Sequence, residues 1–141
     1  MTPQSKTTRQ EVPSTQADRG FRKRVLVFSP DADVARYLVV SLENELTIER
    51  CTDLEHFVKS IENARPDIVL LDLSAFSSDV EQQIDALKRL DPTTPVIVLR
   101  AYVSLPKAVS DAIVGLADIV FYKPVDVDMV SKSIEDLLKV S

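Results

Sequence analysis

The stretch Pro66-Asp67-Ile68-Val69-Leu70-Leu71-Asp72-Leu73 decides the fold. Its apolar run is short, rich in β-formers and ends on a single carboxylate, the pattern of a strand buried on both faces. Ligands of open parallel α/β sheets gather beyond the carboxyl ends of the strands. Asp72 therefore stands where such a sheet does its chemistry.

Outward from this strand the chain alternates regularly. Val25-Leu26-Val27-Phe28 reads as a buried strand, followed by a helix over 33–43 with Val34, Leu38 and Leu42 on one face. Residues 46–51 form a shorter, more polar strand suited to a sheet edge. Asp53 is placed to cap a helix carrying Leu54, Phe57, Val58 and Ile61 on one stripe. After the central strand, Val80, Ile84, Leu87 and Leu90 mark a third helix that Asp91-Pro92 stops. Pro95-Val96-Ile97-Val98-Leu99 is the fourth strand, and Pro106 opens a helix bearing Val109, Ile113 and Leu116. Ile119-Val120-Phe121 is the fifth strand, and Asp126 caps a last helix with Val127, Val130, Ile134, Leu137 and Leu138 inward. Five strands alternating with five helices imply a doubly wound α/β fold, a parallel sheet covered on both faces through right-handed crossovers. The expected strand order is the flavodoxin-like 2-1-3-4-5.

Composition narrows the function. The 141 residues, 45% hydrophobic with 2 Gly, suffice for one well-packed domain, expected over 22–141 behind a disordered leader at 1–21. The leader is rich in Gln, Ser, Thr and Pro and too poor in large apolar residues to offset the entropy of ordering. Residues 1–24 carry six basic and two acidic groups; the rest carries 11 basic and 20 acidic, a body of −9. Nucleic acid is thereby disfavoured, because phosphate neutralisation needs clustered Lys and Arg. No apolar run is long enough for a membrane span and the N-terminus lacks a signal-peptide pattern, so a cytoplasmic protein is expected. The single cysteine, Cys51, fits a reducing compartment.

Together Val25-Leu26-Val27-Phe28, the 66–73 stretch, Thr94-Pro95-Val96-Ile97-Val98-Leu99 and Tyr122-Lys123-Pro124-Val125 resemble the receiver domain of bacterial two-component response regulators. The resemblance spans residues 22–140. It implies that Asp72 matches the aspartate that accepts a phosphoryl group from a histidine kinase, and Lys123 the lysine that contacts the phosphoryl oxygens. Several other positions depart from the family pattern. The acidic pair after the first strand is Ser29-Pro30, and only Asp31, the next position, is acidic. The hydroxyl residue ending the fourth strand is Arg100, the aromatic switch is Val120, and the methionine-proline after the acceptor is Ala75-Phe76.

These departures suggest a degenerate, atypical receiver without catalytic activity. Aspartyl phosphorylation needs a cation bridging carboxylate and phosphoryl oxygens. Mg²⁺ prefers a near-octahedral oxygen shell including carboxylates. With Ser29 and Pro30 in the loop, Mg²⁺ binding is expected to be weak or absent. Asp72, Lys123 and Arg100 are expected to converge, with Arg100 and Lys123 holding Asp72 as a carboxylate. The leading expectation is a signalling module acting by protein–protein interaction independently of phosphorylation. The alternative is a working phosphoacceptor served by a histidine kinase.

Other polar residues have plainer readings. His56 reads as a solvated side chain, Cys51 as a small buried hydrophobe, and Ser29 and Ser74 have no histidine base for nucleophilic catalysis. Expected partners are proteins, a histidine kinase or an output protein. A weak homodimer is also expected through the fourth helix, fifth strand and fifth helix, where Ala108, Asp111, Ala112, Asp118, Tyr122, Lys132 and Asp136 are read as outward.

Overall fold

Each apolar run forms a strand, and the strands pair side by side in one direction. The computed structural model describes residues 23–42, 46–75 and 80–140. Its elements are β1 (Lys23–Phe28), α1 (Ala32–Leu42), β2 (Leu46–Cys51), α2 (Leu54–Asn63), β3 (Ile68–Asp72), a 3-10 turn (Leu73–Ala75), α3 (Val80–Lys88), β4 (Val96–Arg100), α4 (Lys107–Leu116), β5 (Ile119–Tyr122) and α5 (Val127–Val140). The sheet is parallel in the order β2-β1-β3-β4-β5, the flavodoxin-like arrangement expected from the alternation. The expected leader and Phe76 lie outside the described residues, as does Glu43 at the expected end of the first helix.

Side chains alternate between the two faces of a strand, so the sheet carries two separate cores. Leu26, Phe28, Val69, Leu71, Val96 and Val98 pack on one face with Phe57 of α2, Leu87 of α3 and Val109 and Ile113 of α4. The Phe28 and Phe57 rings stack there at 4.9 Å. On the other face Val25, Val27, Ile68, Leu70, Ile97 and Leu99 meet Leu38 of α1 and Val130 and Ile134 of α5. Every residue of β3 is buried. Each such Val, Leu or Ile contributes about 1.5–3 kcal/mol of apolar transfer.

Capping and register fix the frame. Asp53 accepts from the His56 amide at 2.8 Å and caps α2, as expected. Asp126 Oδ1 accepts from the Asp128 amide at 3.0 Å at the start of α5. Pro106 is the N-cap of α4, one residue before the expected first turn. At the amino edge of the sheet Asp67 closes a two-bond ring with Arg24: the Asp67 amide donates to the Arg24 carbonyl at 2.9 Å and the Arg24 amide to Asp67 Oδ2 at 2.7 Å. Asp118 repeats the device on Val96, with both bonds at 2.8 Å. Asp118 is exposed, as read from the sequence, and tied to the sheet, whereas Ala112 is half-buried against the core and so is not an outward position.

Candidate functional site

The ends of β1, β3 and β5 deliver polar side chains to the point where β3 ends, Lys123 reaching across from the far side of β4. Asp72 continues the face of Ile68 and Leu70, Ser29 follows Val27 on the same face, and Lys123 follows Phe121. The Ser29 amide donates to the Cys51 carbonyl at 3.2 Å, extending the β1–β2 ladder and holding Ser29 in place. Asp72 and Ser29 are both fully buried. A buried carboxylate is costly unless it is paired and hydrogen-bonded, and here it is both.

Lys123 Nζ lies 2.9 Å from Asp72 Oδ1 and 3.0 Å from Oδ2. Oδ1 also accepts from the Ser74 hydroxyl at 2.7 Å and the Ser74 amide at 3.0 Å, while Oδ2 accepts from the Ser29 hydroxyl at 2.9 Å. A carboxylate offers about four acceptor sites, and these donors take them up. Lys123 Nζ donates in addition to Ser74 Oγ at 3.1 Å, which gives the ammonium three acceptors. Burial pushes the Asp72 carboxyl up, but the hydrogen bonds from Ser74, Lys123 and Ser29 outweigh it and hold the group below the ordinary carboxylate range.

The loop after β1 is folded onto this pair. Ser29 Oγ accepts from the Asp31 amide at 3.0 Å while donating to Asp72. The Asp31 carboxylate accepts from the Asp33 amide at 2.8 Å, and Asp31 lines one cavity with Lys123. Pro30 contributes only its carbonyl, which accepts from Arg50 at 3.1 Å, and Arg50 also donates to the Ser29 carbonyl at 3.3 Å. At this edge a hydroxyl, that of Ser29, faces Asp72 at 2.9 Å, and Lys123 pairs with both carboxylate oxygens. Among the described residues no group of three or more His, Cys, Asp or Glu is arranged to hold a metal.

Arg100 corrects the sequence reading. Asp72 and Lys123 do converge, but Arg100 does not join them. Asp72 is paired with Leu99 in the sheet register, so the next residue of β4 points to the opposite face. There the Arg100 guanidinium donates to the Val103 carbonyl at 2.9 Å and lies 5.4 Å from the ring centroid of Tyr122, its register partner. Val120 is on this same side, opposite Val98, and is 39% exposed.

Two contributors escaped the sequence reading. Ser74 was considered only as a nucleophile, yet the Asp-x-Ser spacing is that of a turn in which a side chain bonds the backbone two residues on. Arg50 carries no local signal; its role appears once β1 and β2 are paired, Val27 opposite Arg50. His56 also differs from expectation, for its Nε2 sits 3.5 Å from Glu49 Oε2 instead of being merely solvated. Cys51 is buried as expected; burial, followed by Glu49 and Asp53 and opposed by Arg50, pushes its thiol up to about 12.

No protein-family model matches the chain, and no curated protein matches it significantly. Solved structures do. A CheY-like response regulator receiver domain protein from Methanospirillum hungatei shares 25% identity at a TM-score of 0.67, covering 84% of this chain and 94% of that one. The receiver domain of a Francisella response regulator shares 21% at a TM-score of 0.65, covering 84% and 98%. Streptococcal redox sensors described as evolved from two-component response regulators share 18% at a TM-score of 0.67, covering 83% and 51%. With its 2-1-3-4-5 parallel sheet and an Asp72–Lys123 pair at the carboxyl edge, the chain has the fold of response regulator receiver domains.

Proposed function

We propose that this domain is an atypical receiver that signals by protein–protein interaction and has no phosphorylation cycle. The observation that carries the reading is the closure of Asp72: Lys123 bridges both carboxylate oxygens, and the Ser29 and Ser74 hydroxyls fill the remaining acceptor sites. A nucleophile in this state has its lone pairs engaged and its charge already neutralised. Ser29 and Pro30 supply no carboxylate for a cation, and Arg100, at the position of the sensing hydroxyl, faces away from Asp72. The streptococcal sensors indicate that the receiver fold has been turned to other signals elsewhere. The domain is then not an enzyme, and its partners are proteins.

A second reading keeps one observation in its favour. Asp72 is held as a carboxylate beside a lysine at the end of β3, the form a phosphoacceptor needs. Incubation with acetyl phosphate and Mg²⁺, followed by intact-mass measurement, decides between them. An unmodified mass supports the interaction module. A phosphoryl adduct that disappears in Asp72→Asn supports the phosphoacceptor.

A further inference from the structure

Between the starts of α1 and α5 the carboxyl edge of the sheet holds a cavity of about 390 Å³. Its apolar walls are Val34 and Tyr37 of α1, Leu99 of β4, Val125 and Val127 at the start of α5. Small-molecule sites are mostly apolar cavities of this size with a few placed polar groups. The walls are set in advance. Leu99 is buried, and Val34 and Val125 pack against the core that holds Leu38 and Ile134. Tyr37 is tied down by its hydroxyl, which donates from α1 to Asp128 Oδ1 on α5. A ligand therefore enters without ordering many side chains.

The polar groups decide what the cavity takes. Lys123 lines it, but its ammonium is engaged by both oxygens of Asp72 and by Ser74 Oγ, and the Tyr37 hydroxyl is engaged by Asp128. At the two helix starts, Asp31 Oδ1 already accepts from the Asp33 amide at 2.8 Å and Asp126 Oδ1 from the Asp128 amide at 3.0 Å. An anion is disfavoured, because the carboxylates of Asp31, Asp33, Asp126 and Asp128 already occupy the positive ends of the helices. Acceptors, in contrast, are open. Asp31 is exposed, and among the described residues no cation pairs with it and only Oδ1 of its carboxylate takes a hydrogen bond. Asp33 gives Oδ1 to Arg36 at 2.7 Å and keeps Oδ2.

We propose that this cavity binds a small organic cation, a primary amine on an apolar body, with the ammonium against Asp31 and Asp33 and the body against Val34, Tyr37, Val125 and Val127. Walls that add no further oxygens suit an organic cation better than a divalent metal, which takes about six oxygen ligands. The inference goes beyond the interaction-module reading. A bound amine bridges the starts of α1 and α5, which the Tyr37–Asp128 bond already joins, and gives the domain an input that does not pass through Asp72.

The probes are phenethylamine, phenethyl alcohol and hydrocinnamate, which share one apolar body and differ in the head group. Each is titrated against the full chain in Mg²⁺-free buffer and followed by amide shifts in NMR. The expected result is saturable binding of the amine, with shifts centred on Asp33, Val34, Tyr37, Val125 and Val127, about tenfold tighter than the alcohol, and no binding of hydrocinnamate. Asp31→Asn is expected to weaken the amine about tenfold while leaving the alcohol and the melting temperature unchanged, a difference that a structural role alone does not produce. Absence of saturable amine binding, equal binding of amine and alcohol, tighter binding of hydrocinnamate, shifts confined to other elements, or an Asp31→Asn protein that binds the amine like wild type overturns the proposal. Displacement of the amine by an equimolar amount of Mg²⁺ overturns it in favour of a metal site. Failure here is distinct from failure of the proposed function, which is read from the mass of Asp72 after acetyl phosphate treatment.

Discussion

Lys123 and Asp72 meet through a single ammonium that reaches both carboxylate oxygens, at 2.9 Å and 3.0 Å. The carboxylate is fully buried, whereas the lysine side chain is 33% exposed. Removing the acid leaves a cation that water can still reach, while removing the base strands a buried anion. Lys123→Met is therefore expected to destabilise more than Asp72→Ala. Broken buried pairs cost about 3–5 kcal/mol, and Asp72→Ala should fall near the lower end, at about 3 kcal/mol. Urea denaturation of the two variants checks the order.

The same pair predicts a limb in the acid stability profile. Asp72 holds its proton less tightly when folded than when unfolded. Its stabilising contribution is complete above the ordinary carboxylate range near ~4 and is lost as pH falls through the lower folded value. Denaturation midpoints from pH 7 down to pH 3 should fall more steeply for wild type than for Asp72→Asn. Parallel profiles would count against the pairing.

Phosphorylation should be recoverable only by rebuilding several positions at once. Arg100→Thr alone is expected to yield no adduct with acetyl phosphate, because Arg100 does not touch Asp72 and the loop still lacks carboxylates. Ser29→Asp with Pro30→Asp and Arg100→Thr should create a Mn²⁺-dependent rise in melting temperature and an adduct on Asp72. A fully modified Arg100→Thr single variant would contradict this account.

Arg50 predicts a local effect. Its guanidinium holds the carbonyls of Ser29 and Pro30 and so keeps the Ser29 hydroxyl aimed at Asp72. Arg50→Gln should cost about 1 kcal/mol. Amide exchange at Asp31, whose N–H is bonded to Ser29 Oγ, should quicken while β3 amides are unaffected. Hydrogen exchange followed by NMR reads both.

Cys51 should be chemically silent in the folded protein. It is 1% exposed and its thiol is pushed up to about 12, so at pH 8 it is neither ionised nor reachable. Alkylation by iodoacetamide should follow the rate of unfolding. Rapid native labelling would show that the end of β2 opens.

The architecture was legible because it depends on periodicity. Apolar runs of four or five residues separated by stripes at helical spacing leave few topologies open, and 2-1-3-4-5 is among the commonest of them. Asp72, the last residue of β3, was legible from the strand pattern, whereas Lys123 was reached through the resemblance of Tyr122-Lys123-Pro124-Val125 to receiver domains. Arg100 was misread because its distance along the chain was counted and its side was not. Leu99, one residue earlier, faces the same core as Leu70, and alternation along β4 sends Arg100 the other way. Val34, read as core, is only half-buried, while Ala35 takes the inner position on α1, a small rotation of the stripe that periodicity does not resolve. Arg50 required the pairing of two strands before its role appeared, information that no local window contains.

The sheet divides the molecule into two faces joined at one strand end. Asp72 lies on the α1–α5 side and Arg100 on the other, with β3 and β4 packed between two cores that have no residue in common. The two sides are not independent, because Lys123, whose ammonium pairs with Asp72, donates its amide to the Arg100 carbonyl at 2.8 Å, so the energetic effects of Asp72→Ala and Arg100→Gln should depart from additivity by about 0.5 kcal/mol or more. A change on one side of such a domain therefore reaches the other through a single backbone bond between the ends of two strands.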